Sequence, residues 1–151
     1  GLGYQYAWTR DIPEPNMLEI IEHYKNDYSI IHIKREDQKA YEDTMQALDG
    51  YRSIAILLQL SDKRLLIDSF AQHLASALNK KSTVCWISTK PETFGYKLHD
   101  NIRANAFTKE PTLTQAIYEP FGLSEDVSSI PYNDLTEIFD TNKIITSINK
   151  Q

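Results

Sequence analysis

An acid, a hydroxyl and an imidazole lie close together in Asp68-Ser69-Phe70-Ala71-Gln72-His73. Ser69 and His73 are four residues apart, so on a helix they share one face of its first turn. Free backbone N–H groups and the helix dipole at such a turn favour an anion, typically a phosphate. Other chemistries are excluded by the surrounding residues. Adjacent residues cannot adopt the geometry of a hydrolytic triad, and no Gly-x-Ser-x-Gly elbow surrounds Ser69. A dinucleotide fold would need Gly-x-Gly-x-x-Gly between a strand and a helix; Gly1-Leu2-Gly3 is too short and follows no strand. The plainer alternative is that Asp68 and Ser69 cap a helix, an arrangement worth about 1 kcal/mol, with His73 a partly buried structural residue.

The elements that must position these groups follow from apolar spacing. Residues 64–67 form an apolar run of strand length, ended by Asp68-Ser69, and a helix is predicted over 69–78. Ligands of open α/β sheets bind at such strand ends. A second strand over 83–87 contains Cys85. Upstream, Met17, Leu18, Ile20, Ile21 and Tyr24 have helical spacing over 14–24, with Pro13 and Pro15 as a start signal. A β-branched run over 28–33 and a short segment over 44–48 read as strands. Residues 53–60 read as a strongly apolar helix, expected to be buried between the sheet and its neighbours. Asn79-Lys80-Lys81 and Ser61-Asp62-Lys63-Arg64 place cations at helix C-termini.

Residues 89–132 carry turn signals at Pro91, Gly95, Pro111, Pro120, Gly122 and Pro131 and read as a long loop and irregular crossing around a strand over 102–107. Helical periodicity returns over 134–140 and 143–148, with a break expected at Thr141-Asn142. Short strands alternating with helices predict an α/β fold, a doubly wound, Rossmann-like domain with a mainly parallel sheet. Residues 1–151 are expected to form one domain, with 108–151 as a crossing and helical tail.

Composition narrows the partners. With 41% apolar residues and a net charge of -5, the 151-residue chain can build a core but offers no basic face for sequence-independent nucleic-acid binding. The lone Cys85 allows no internal disulfide, fits burial better than reactivity, and suggests a reducing, cytoplasmic setting. No apolar run reaches the length of a membrane span, and the first residues lack a secretory signal pattern.

The segment from Asp68 to Ala75 resembles the Asp-Ser/Thr-Gly-x-x-His-Leu-x motif of the heptosyltransferases of lipopolysaccharide core synthesis, glycosyltransferases of the GT-B type. Ser88-Thr89-Lys90-Pro91 is similar to that family's Gly-x-Thr-x-Pro turn, and Arg10-Asp11-Ile12-Pro13 to its Lys-x-Trp-Pro. The resemblance covers roughly residues 1–107. It implies a C-terminal donor-binding half that takes a nucleotide sugar, ADP-linked, without a metal or other cofactor. By position, Arg10 would neutralise the leaving nucleotide, Asp68 would orient the corner, Ser69 would donate to phosphate, and His73 would face the diphosphate. Preorganised donors and cations of this kind stabilise the charge that develops on a leaving diphosphate. Glu36 or Asp37 would approach the ribose, and Asp49 the base. The lipid-linked or glycan acceptor and the catalytic base would belong to an N-terminal domain, so this chain is expected to bind donor but transfer nothing alone. In the family a central strand precedes the glycine-bearing loop at which this sequence begins; Tyr4 to Trp8 is an alternative, substitute edge strand.

Phe70 replaces the motif's glycine, whose missing side chain lets backbone approach phosphate, and a ring there would reshape the pocket. It also motivates the rival reading, a noncatalytic nucleotide- or glycan-binding module of the same fold. Arginine for lysine at position 10 keeps charge but changes hydrogen-bond geometry. Arg10 could equally be a surface charge. Tyr4, Tyr6 and Trp8, at alternate positions, fit strand packing better than ring stacking on a ligand. His23 is expected to face solvent, His32 to sit in a strand and His99 in a loop.

Overall fold

The computed structural model describes residues 11–36, 38–48, 50–87, 89–105 and 134–151. Five short strands occur in it: β1 (Ile31–Lys34), β2 (Met45–Leu48), β3 (Leu65–Ile67), β4 (Thr83–Trp86) and β5 (Asp100–Arg103). Every pairing among the described residues is parallel, β1 with β2 in one sheet and β3-β4-β5 in another. The fold is therefore α/β with parallel sheets, as the alternation of elements predicts. The helices among the described residues are α1 (Glu14–Tyr24), α2 (Tyr51–Leu60), α3 (Phe70–Ala77), α4 (Pro91–Phe94) and α5 (Thr141–Asn149). None of the described helices is long and apolar enough to cross a membrane.

Two cores lie on opposite faces of β3. Leu65 and Ile67 pack into a larger core with Ile20 and Tyr24 of α1 and Ile144 and Ile148 of α5. Leu66, whose side chain alternates to the other face, joins Ile54 and Leu58 of α2 and Ala75 of α3. Cys85 sits in the larger core, and burial alone pushes its thiol far above the ordinary range. That agrees with its reading as an inert core residue.

Local chemistry fixes the helix ends. Asn79 adopts φ 54°, and its N–H reaches Ser76 O while Lys80 N reaches Ala75 O at 2.8 Å, the left-handed stop of a Schellman motif. At the end of α2, Arg64 donates through Nη1 to Leu58 O and Ser61 O, and through Nε to Lys81 O. The expected cation at this helix end is thus a working cap. Gln151 joins β3 to β4 by accepting from Arg64 N and donating to Arg64 O and Thr83 Oγ1.

Four expectations are corrected. Helix α2 is not buried all round: Ile54 and Leu58 face inward, while Ile56 and Leu60 are 58% and 75% exposed. Its apolar residues exceed what one core-facing stripe can bury. Residues 91–94 form a helical turn started by Pro91, not irregular loop. Strand β5 begins at Asp100, two residues earlier than expected, because Thr83 of β4 pairs with it there; Phe107 lies outside the described residues. The C-terminal break falls upstream of Thr141, after a short 3-10 turn over Leu135–Glu137, because Asp140 accepts from Asn142 N and starts α5 at Thr141.

Candidate functional site

Parallel pairing puts the segments after β3 and β4 side by side at one end of the sheet. Asp68 and Ser69 leave β3, Thr89 follows β4, and Thr89 Oγ1 donates to Asp68 Oδ2 at 2.6 Å. Thr89 is buried, 2% exposed, while Asp68 is partly buried. Two segments singled out separately in the sequence are therefore in contact.

Ser69 occupies the N-cap position of α3 with extended backbone, but its side chain makes no capping bond. Among the described residues nothing hydrogen-bonds its hydroxyl. The expected alternative of a Ser69 side-chain cap is not realised, and the hydroxyl stands beside N–H groups that no side chain caps.

His73 is exposed one turn along, with Nδ1 3.0 Å from Tyr96 Oη and the two rings edge to face. Fully buried Gln72 donates through Nε2 to Phe94 O at 3.2 Å, and its main-chain oxygen lies 3.0 Å from His99 Nε2. Since a carbonyl only accepts, His99 Nε2 carries the proton in this bond. Buried His99 is pulled below the ordinary histidine pKa by desolvation and by nearby His73, against the opposing bond to Gln72. The segment after α4 thus braces the first turn of α3. It lies in the expected loop, and His99 there is buried, 6% exposed.

Phe70, 48% exposed, meets the 74% exposed Tyr51 edge to face with centroids 5.0 Å apart. Each is the first residue of its helix, α3 and α2, and each helix follows a parallel strand. The Phe70 ring therefore belongs to a two-ring exposed surface beside the Ser69 corner.

Glu36 is exposed in the turn after β1, with no described bond to the corner. Arg10, Asp37, Asp49 and Ser88, with Tyr4, Tyr6 and Trp8, lie outside the described residues. His23 is exposed on α1, and His32 lies in β1, its pKa lowered by burial and then by Lys34. The sequence reading missed Tyr51, Gln72, Tyr96 and His99 as parts of this neighbourhood. Tyr51 alone carried a signal, its position after β2 matching that of Phe70 after β3.

The chain matches no protein-family model, no curated protein and no solved structure at a significant level.

Proposed function

We propose that the chain is the donor-binding domain of a glycosyltransferase that uses a nucleoside diphosphate sugar, ADP-linked, in surface-glycan synthesis at the cytoplasmic side of the membrane. On this reading the two sheets belong to one doubly wound domain of the GT-B type. The observation that carries it is the Ser69 hydroxyl at the start of α3, which no described residue hydrogen-bonds, held beside the Asp68–Thr89 bond at the ends of two parallel strands. The diphosphate sits at this helix start, with Ser69 donating and His73 one turn away. Asp68 is occupied by Thr89 and orients the corner. Tyr51 and Phe70 offer ring faces and edges to the base or sugar. Cleavage of the bond from the sugar's anomeric carbon to the diphosphate leaves the electron pair on phosphate oxygen, where fixed donors stabilise it. Arg10 adds positive charge, and the acceptor and the base that takes its proton come from elsewhere in the full enzyme.

Calorimetric titration with ADP-, UDP-, GDP- and CMP-linked sugars tests this. Binding of the ADP-linked donor, weakened by Ser69→Ala and Asp68→Ala, is expected; absence of binding by every nucleotide rejects the donor site. Phe70, bulky where the resembling motif has glycine, favours a second reading as a noncatalytic nucleotide- or glycan-binding module. Binding without turnover when acceptor and complementary domain are supplied would select it.

A further inference from the structure

Helix α2 carries two apolar stripes. Ile54 and Leu58 form the one that packs into the core with Ala75. Ser53, Ile56, Leu57 and Leu60 recur at three- and four-residue spacing and form a second stripe, roughly 130° further round the helix. That stripe joins neither core: Leu57 is half-buried, and Ile56 and Leu60 are exposed. Exposed apolar residues are ordinary when scattered singly, but these occupy successive turns of one helix. Charge marks the two ends of the stripe with opposite signs. Arg52, one turn before Ile56, is exposed and is the only charged residue of α2, and no hydrogen bond or ion pair joins it to another described residue. Asp62, two residues past Leu60, is also exposed, and its carboxylate makes no described hydrogen bond or ion pair. The cations beside it are engaged elsewhere. Arg64 donates to the main-chain oxygens of Leu58, Ser61, Asp62 and Lys81, attracting the Asp62 carboxylate only through space. Lys63 donates to Ile148 O at 3.2 Å and lies over the Tyr28 ring.

We propose that this face of α2 docks a second copy of the chain, the two α2 helices packing antiparallel about a two-fold axis. Charge complementarity selects both the partner and the direction. A parallel pair would set Arg52 against the partner's Arg52 and Asp62 against the partner's Asp62, whereas an antiparallel pair sets each Arg52 against the partner's Asp62. Leu57 lies midway between Arg52 and Asp62 in sequence, so it falls at the two-fold axis. Ile56 and Leu60 then repeat on either side of it, a self-complementary patch of the kind that a closed dimer requires. Size sets the strength. The ten-residue α2 is about 15 Å long, so its pairing alone buries less than the roughly 1,200 Å² of a stable interface and gives a weak, concentration-dependent dimer. This inference does not rest on nucleotide binding.

Sedimentation equilibrium of the 151-residue chain from about 1 µM to about 1 mM is the test, because weak interfaces dissociate within that range. A monomer–dimer equilibrium is expected. Leu60→Glu changes an exposed position and should weaken dimerisation at least about a hundredfold, since a two-fold interface contains the change twice. Arg52→Asp and Asp62→Arg should each weaken it about tenfold, and the double variant should restore it. If Leu60→Glu fails to fold, this charge cycle decides. A 17.4-kDa species alone across the range, assembly beyond the dimer, an undiminished dimer in folded Leu60→Glu, or equal affinities in the single and double charge variants would overturn the proposal.

Discussion

Thr89 Oγ1 and Asp68 Oδ2, 2.6 Å apart, join the exits of β3 and β4 across the mouth of the candidate site. A hydrogen bond to a carboxylate from a buried hydroxyl both orients the acid and holds the two exits in register. Thr89→Val keeps the shape and removes the donor, so it should lower stability in urea denaturation by about 1–2 kcal/mol. Thr89→Ser, which restores a donor, should recover most of the loss. On the proposed function, donor affinity measured by calorimetry falls in Thr89→Val as well, because Asp68 then loses one of the bonds that orient it.

Much of this arrangement was legible in the sequence, and the unread parts share a cause. Residues 14–24 gave α1 because Pro13, Pro15 and the spacing of Ile20, Ile21 and Tyr24 all point the same way, and the observed helix has those limits. Strands β3 and β4 were legible as short apolar runs bounded by polar corners. The Asp68–Ser69 corner was legible because a strand exit and a helix start coincide there. The Thr89 bond, the Gln72 and His99 supports and the Tyr51–Phe70 pair were not, because each depends on which strands are neighbours. Sequence periodicity does not encode that order. The exposed side of α2 was misread for a related reason: Ile56 and Leu60 are as apolar as Ile54 and Leu58, and only the position of α3 and the sheet distinguishes them.

Protonation of His99 opposes folding. Its folded pKa lies below the ordinary value of 6.5, first through burial and then through His73, while the bond to Gln72 O partly offsets both. The unfolded chain therefore binds more protons in this range, and stability rises with pH. The contribution is fully present above the unfolded pKa, is lost progressively below it, and levels off beneath the depressed folded pKa. His32, also lowered, adds the same sign. Urea midpoints should be higher at about pH 8 than at about pH 5. His99→Gln, which can still donate to Gln72 O, should reduce that difference without abolishing it.

Asn16 fastens α1 to the segment that starts α5. Its Nδ2 donates to Phe139 O at 3.1 Å and to Thr141 Oγ1 at 2.9 Å, and the residue is 2% exposed. Asn16→Leu has similar bulk but leaves the buried carbonyl of Phe139 unpaired. A loss of about 1–3 kcal/mol is expected in chemical denaturation, accompanied by faster amide exchange at the start of α5. Asn16→Asp should also destabilise, since it replaces a donor with a buried acceptor facing Phe139 O.

Gly95 is required by close approach, since its φ of −84° is open to any residue. A Cβ there would lie 2.6 Å from Pro91 O and 3.1 Å from Asn101 Oδ1. The side-chain oxygen can shift, but the backbone oxygen of Pro91 belongs to α4 and accepts from Gly95 N at 2.8 Å. Relief therefore moves the chain on either side of Gly95. Phe94 O, which accepts from Gln72, and Tyr96, which meets His73, are its immediate neighbours. Gly95→Ala should cost about 1–3 kcal/mol by overpacking. Its distinctive effect should be to loosen the brace on α3, seen as faster exchange of the Gln72 and His73 amides than in Asn16→Leu at equal loss of stability. Equal exchange at those amides in the two variants would show that the 94–99 segment does not hold the first turn of α3 in place.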